Sequence, residues 1–177
     1  MAHHLVIGAT GMLAETARTF AREGHTVSAV ARTKKDLIEL VKQTQVDDGV
    51  INPVALDYTE TNTLSDKLTE AIAILGPIDT AVCWIHKDAP QALVTVAAIL
   101  QAQAAPCRFF HILSHNKGVE KADSSITEAK NISYRTITLG YKVEGAARRW
   151  LTDDEISWGI LEAIYENRIE TVIGQID

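Results

Sequence analysis

The 177-residue sequence has little cysteine, no excess of basic charge and no long apolar run, and each absence excludes a class of protein. Two cysteines cannot build a disulfide framework, and both lie in apolar runs, so we predict buried free thiols in a reducing cytoplasm. The 17 Lys and Arg residues are outnumbered by 23 Asp and Glu residues, which argues against a nucleic-acid coat protein. No apolar stretch reaches the roughly 20 residues that cross a bilayer. Because the first residues also lack a signal-peptide pattern, we expect no membrane partner.

The sequence does have the rhythm of an α/β protein. Short β-branched runs alternate with longer segments in which apolar residues recur at helical spacing, a pattern typical of βαβ units around a parallel sheet. We therefore predict a single NAD(P)-binding Rossmann-fold domain over residues 1–177, with three layers and a doubly wound sheet. Strands are predicted at 5–7, 26–31, 50–56, 78–85, 108–113, 133–139 and 171–173. The right-handed crossover rule predicts the strand order 3-2-1-4-5-6, with the seventh strand beyond the sixth.

The first strand runs into a glycine-rich turn that opens a helix predicted over 11–22. Gly8 permits the tight turn, Gly11 lets the backbone approach a pyrophosphate, and Ala14 is small enough for close helix–sheet packing. Free N–H groups at a helix start bind anions, so this turn predicts a phosphate site; the alternative is a tight turn without a ligand. The predicted phosphate-binding residues are Gly8, Thr10, Gly11, Met12 and Leu13.

A basic cluster follows the second strand. In a dinucleotide-binding fold an acidic residue here holds the ribose 2′-hydroxyl of NAD, whereas an Arg accommodates the 2′-phosphate of NADP. Arg32 stands at this position, with Thr33 as the predicted cap of the next helix and Lys35 in its first turn. We therefore predict that NADP(H) is preferred over NAD(H), the alternative being a solvated basic helix start.

The ends of the third and fourth strands complete the predicted cofactor site. Asp57 could accept a hydrogen bond from an adenine amino group or could cap the following turn, and Tyr58 lies next to it. Trp84 and Ile85 end the fourth strand, where the indole could stack near the cofactor.

The Gly8, Gly11 and Ala14 turn, together with Arg32 and Asp57, resembles the short-chain dehydrogenase/reductase family over about the first 115 residues. The resemblance implies hydride transfer between a nicotinamide cofactor and a carbonyl or alcohol. It also implies that Ser114, which ends the fifth strand, polarises the substrate carbonyl.

The family's catalytic Tyr followed four residues later by Lys is missing. Thr138 stands four residues after Tyr134, and Gly145 four residues after Tyr141. The segment 116–132 is too short for a full helical layer, so we expect it to be irregular or to hold one brief helix. His86 and His115 follow central strands at the same edge, and either could donate the proton instead of Tyr; the alternative is a polar loop residue or a cap.

Two functional interpretations follow, an NADP(H)-dependent oxidoreductase or a non-catalytic dinucleotide-binding sensor or regulatory protein. A structural dimerisation domain with a degenerate loop is a third. The helix predicted from Ala89 to Ala104 is apolar nearly all round, which suggests a contact in a homo-oligomer. The six histidines show no metal-ligand spacing, so no metal site is predicted. We expect Trp158 to pack against the core and place Arg148 and Arg149 on a loop, as a solvated pair or as ligands for a phosphate or carboxylate.

Overall fold

The computed structural model describes residues 1–44, 48–115, 122 and 124–177. Its strands are β1 His3–Ile7, β2 Thr26–Ala31, β3 Val50–Ala55, β4 Thr80–Trp84, β5 Cys107–Ser114, β6 Ile132–Leu139, β7 Tyr141–Glu144, β8 Ala147–Trp150 and β9 Glu170–Ile173. Its helices are α1 Ala14–Arg22, α2 Lys34–Gln43, α3 Thr61–Leu75, α4 Pro90–Ala102, α5 Ser124–Thr127 and α6 Asp153–Tyr165.

Seven parallel strands form the central sheet in the order β3-β2-β1-β4-β5-β6-β9. This confirms the predicted doubly wound topology, including the last strand beyond β6. The chain order reverses between β1 and β4, which lie side by side with Ile7 opposite Cys83. Ligands of open α/β sheets bind in the crevice at such a reversal, beyond the carboxyl ends of the strands.

Both faces of the sheet are buried, because successive side chains of a strand point to opposite sides. Apolar side chains of α1, α2 and α6 pack on one face around Val6, Val82 and Phe110. Those of α3, α4 and α5 pack on the other face around Leu5 and Phe109. The short, nearly continuous apolar runs of the central strands reflect this double burial, as expected for a parallel sheet.

The region after β6 differs from the sequence prediction. Residues 141–150 form the antiparallel hairpin β7–β8, so Arg148 and Arg149 lie on a strand and not on a loop. Trp158 does not pack in the core, because it is 74% exposed on α6. Thr33 stands at the N-terminal cap position of α2, but within the described part of the chain its side chain makes no capping hydrogen bond.

The segment between β5 and β6 carries one brief helix, α5, among its described residues, as predicted. Residues 116–121 and 123 of this segment lie outside the described part of the chain. Over the described ranges no helix is long and apolar enough to cross a membrane. Within the same ranges, no three His, Cys, Asp or Glu side chains lie close enough together to hold a metal ion.

Candidate functional site

The glycine-rich turn leaves an open cradle at the start of α1. Residues 8–13 are turns, and α1 begins at Ala14, three residues later than predicted. Gly8 has a φ of +92°, a backbone conformation that residues other than glycine rarely adopt. A Cβ on Gly8 would also lie 3.3 Å from Trp84 Cβ. A Cβ on Gly11 would meet no atom of the other described residues within 4 Å. The space beside Gly11 is therefore free for a ligand, as a phosphate at this helix start requires.

Contacts on both sides hold this turn in place. The N–H groups of Gly8 and Ala9 donate to the carbonyl of Val30 on β2, at 3.0 and 3.2 Å. On the other side, the buried Ser157 hydroxyl of α6 donates to the Met12 carbonyl at 3.0 Å. The Leu13 side chain is fully buried, so only its backbone could contact a ligand. A turn fixed in this way can bind an anion without first paying an ordering cost.

The end of β2 places a cationic group beside this cradle. Arg32, Thr33 and Lys35 are all exposed. In the described chain the Arg32 guanidinium makes no hydrogen bond and no ion pair, so it is available to a ligand.

Asp57 forms the next wall of the site. Its Oδ1 accepts hydrogen bonds from the backbone N–H of Thr59 at 2.9 Å and from the Thr59 hydroxyl at 2.7 Å. These bonds, with attraction to the nearby Arg32 charge, hold the pKa of Asp57 below its ordinary value. The geometry is that of a turn cap, which leaves contact with an adenine as a prediction.

Tyr58 joins the loops that follow β3 and β4. Its hydroxyl accepts a hydrogen bond from the His86 backbone N–H at 3.1 Å. Trp84 is half-buried and lies against Gly8, whereas Ile85 is buried in the opposite core. The structure thus brings Trp84 to the cradle but leaves the Ile85 side chain out of it.

The two histidines proposed as proton donors lie in different surroundings. His86 is exposed, and its Nδ1 lies 3.0 Å from Asp88 Oδ2. His115 is half-buried, and its Nε2 accepts a hydrogen bond from the Asp177 backbone N–H at 3.2 Å. Ser114 ends β5 opposite Leu139 of β6, on the same sheet edge. One imidazole therefore faces solvent, and the other is engaged by the last residues of the sequence.

A third histidine has the character of a core residue. His111 Nδ1 lies 2.8 Å from the Tyr134 hydroxyl, and burial lowers the pKa of His111 to about 4. Burial also raises the pKa of Tyr134 to about 12. Both groups are therefore neutral near pH 7, and His111 serves as a packing residue of the sheet. The thiols of Cys83 and Cys107 are buried and free, as predicted.

Comparison with known proteins agrees with this geometry. Residues 2–83 match the family model described as short chain dehydrogenase. This first part of the chain is similar to the short-chain dehydrogenases. The match spans β1 through most of β4 and so includes the Gly8–Ala14 turn, Arg32 and Asp57 on which the resemblance rests. No curated protein matches the sequence significantly.

Solved structures share the fold over almost the whole chain at low sequence identity. The citronellol catabolism dehydrogenase of Pseudomonas aeruginosa PAO1 is 16% identical with a TM-score of 0.72, covering 97% of this chain and 92% of that one. The bulky-bulky ketone specific alcohol dehydrogenase of Comamonas testosteroni, in its tetragonal crystals, is 16% identical with a TM-score of 0.74, covering 99% and 87%. A short-chain dehydrogenase from Sphingobium yanoikuyae, in complex with NADPH, is 16% identical with a TM-score of 0.71, covering 97% and 87%.

Sequence reasoning missed four residues that shape this edge, namely Gly140, Tyr141, Ser157 and Asp177. Ser157 is 145 residues from the carbonyl that it holds, and no local pattern points to such a contact. Gly140 did leave a signal, since a glycine directly after a strand can mark a close backbone approach.

Proposed function

We propose that this protein is an NADP(H)-dependent oxidoreductase that interconverts a carbonyl compound and an alcohol. The observation that carries the proposal is the open space beside Gly11 at the start of α1, next to the available Arg32 guanidinium. An anion-binding helix start and an arginine after β2 are the two features that a dinucleotide with a 2′-phosphate needs.

Different described residues would bind different parts of the cofactor. The backbone around Thr10, Gly11 and Met12 would hold the pyrophosphate. Arg32 would grip the 2′-phosphate with two parallel hydrogen bonds, and Lys35 would add a second positive charge. Trp84 would border the nicotinamide half, because β4 ends beside Gly8 at the reversal of strand order.

The chemistry needs hydride transfer and the movement of one proton. The bound nicotinamide supplies or accepts the hydride. Ser114 at the end of β5 would donate a hydrogen bond to the substrate oxygen, where negative charge develops. His86 is the better placed proton donor, since Asp88 orients its ring through Nδ1 and the ring is exposed to a substrate. His115 is bound to the Asp177 backbone and would have to be released first.

Similar structures support the cofactor class. Besides the Sphingobium yanoikuyae complex, a metagenomic short-chain oxidoreductase in complex with NADP is 16% identical with a TM-score of 0.67. These ligands belong to those proteins, and their relevance here rests on the shared fold together with Gly11 and Arg32 of this chain.

Competitive titration calorimetry with NADPH and NADH tests the cofactor, and NADPH oxidation with a panel of aldehydes and ketones tests the reaction. We expect tighter binding of NADPH and turnover of at least one carbonyl. His86→Gln should then lower the rate and leave NADPH affinity unchanged. NADPH binding without any turnover would favour the non-catalytic sensor, and absence of binding to either cofactor would overturn the proposal.

A further inference from the structure

A pocket of about 190 Å³ opens where β5 and β6 end and the β7–β8 hairpin begins. It is lined by His115, Gly140, Tyr141, Arg148, Arg149 and Trp150. Three of these residues, His115, Tyr141 and Arg148, hold Asp177. The pocket lies next to Ser114, which precedes His115 in the chain.

The contacts made by the Asp177 carboxylate are those of a carboxylate-recognition site. Arg148 Nη1 donates to Oδ2 at 3.2 Å, and Arg148 Nη2 lies 2.9 Å from Oδ1. The Tyr141 hydroxyl donates to Oδ1 at 2.9 Å. Two parallel bonds from one guanidinium to one carboxylate select for that group by both charge and shape.

The two neighbouring arginines have different tasks, because adjacent strand residues point to opposite faces. Arg149 is held by Glu144 at 2.7 Å and by Glu155 at 2.9 and 3.0 Å, and so fastens the hairpin to the start of α6. Arg148 instead lies over the Tyr141 ring, 4.4 Å from its centroid. Stacking on the ring orients the guanidinium for a planar anion before one arrives.

The backbone that delivers Asp177 is docked independently of its carboxylate. Tyr141 and Gln175 exchange two backbone hydrogen bonds of 2.9 and 2.8 Å. A Cβ on Gly140 would lie 2.0 Å from the Gln175 carbonyl oxygen, so the two segments touch closely. Asp177 stands two residues beyond this bridge, and its side chain is 62% exposed. The carboxylate can therefore leave Arg148 and Tyr141 while Gln175 stays in place.

We infer that this pocket is a carboxylate-binding subsite whose Arg148 and Tyr141 are engaged by Asp177 until a ligand displaces it, and that the substrate is an oxo acid. The carboxylate of the substrate would take the place of the Asp177 carboxylate on Arg148 and Tyr141. Its carbonyl would then lie toward Ser114. The substrate part of this inference rests on the proposed oxidoreductase function, whereas carboxylate binding does not.

The test compares acids with their methyl esters as probes, namely pyruvate, acetoacetate and levulinate, by titration calorimetry without cofactor. At least one acid should bind about tenfold or more tightly than its ester, as expected for a charge-assisted pair. Arg148→Gln should remove that preference. Asp177→Asn should tighten acid binding severalfold, because it removes the competing carboxylate.

The matched control is Arg168→Gln, since Arg168 is also exposed and paired with two carboxylates, those of Glu162 and Glu166. It should leave acid binding unchanged. Equal effects of Arg148→Gln and Arg168→Gln, equal binding of acids and esters, or no binding of any probe even to Asp177→Asn would overturn the subsite. Failure of NADPH to bind while the acids still bind would instead sink the proposed oxidoreductase function and leave the subsite standing.

Discussion

The carboxyl ends of β1 and β2 form an open edge of the sheet. The carboxyl ends of β5 and β6 form an edge that Gln175 and Asp177 occupy. At the first edge, Gly11 has free space where a side chain would be, and Arg32 is exposed. At the second, Gly140 has no such space, and the segment that carries Asp177 lies against it. The family match ends at residue 83, before the second edge begins. A glycine that follows a strand can thus leave open space in one place and allow close chain packing in another.

The largest expected effect is on ligand binding at the open edge. Gly11→Val should abolish NADPH binding and leave the melting temperature close to that of the wild type, because the branched side chain fills space that only a ligand would use. Calorimetric titration and thermal denaturation measure the two quantities. Unchanged NADPH affinity would show that the turn is only structural.

At the occupied edge, a side chain added to a glycine should lower protein stability. Gly140→Ala should lower the free energy of unfolding by about 3 kcal/mol, because the new methyl group collides with the Gln175 backbone. Gly11→Ala, which adds the same group in open space, is the matched control and should change stability little. Urea denaturation of both variants compares them. Equal stability losses would remove the distinction between the two edges.

Removing the hydroxyl of Ser114, at the end of β5, tests whether this residue takes part in the reaction. Ser114→Ala should lower the carbonyl-reduction rate on the order of 100-fold, as for loss of one donor to a developing oxyanion, with NADPH affinity unchanged. Ser133→Ala, at the opposite end of the sheet, is the control because Ser133 pairs in register with Arg108 near the start of β5. Equal rates in both variants would deny Ser114 a catalytic role.

A buried histidine makes stability depend on pH. Burial, aided by the nearby His25, lowers the pKa of His4 from 6.5 to about 4. The unfolded chain therefore takes up a proton below about pH 6.5 that the folded chain refuses until about pH 4, so stability falls as the pH falls through this window. The loss from His4 is about 2 kcal/mol at about pH 5.

His4→Phe should remove this part of the acid sensitivity, since His4 Nδ1 has no hydrogen-bond partner among the described residues and the ring packs on Phe20. Urea denaturation at about pH 7 and 5 measures the change. His111 keeps its own share, because burial also lowers its pKa to about 4. A variant with the acid sensitivity of the wild type would show that His4 is protonated in the folded state.

The smallest expected effect concerns the choice of cofactor. Arg32 should favour NADPH over NADH by about tenfold, the equivalent of about 1.4 kcal/mol. Arg32→Asp should reverse the preference by repelling the 2′-phosphate and accepting bonds from the ribose hydroxyls. Lys42→Asp, in the last turn of α2, is the charge-matched control and should leave the preference for NADPH unchanged. A tighter wild-type affinity for NADH would mean that Arg32 points into solvent.

The sequence by itself determined the parallel sheet, its strand order and the glycine-rich turn. Each of these depends on local patterns, such as apolar runs, helical spacing and a glycine at a fixed offset after a strand. The capping box of Thr152 and Glu155 that begins α6 is local in the same sense and was also predictable.

Only the tertiary structure decided the arrangement after β5. The Tyr141–Gln175 bridge, the support of Met12 by Ser157 and the grip of Arg148 on Asp177 join residues 29 to 145 positions apart. Contacts between residues so far apart in the sequence depend on how whole elements pack, so the periodicity of a single segment cannot predict them. The sequence does not distinguish Arg148 from Arg149 for the same reason. Only their positions on a paired strand direct Arg149 to Glu155 of α6 and Arg148 to Asp177.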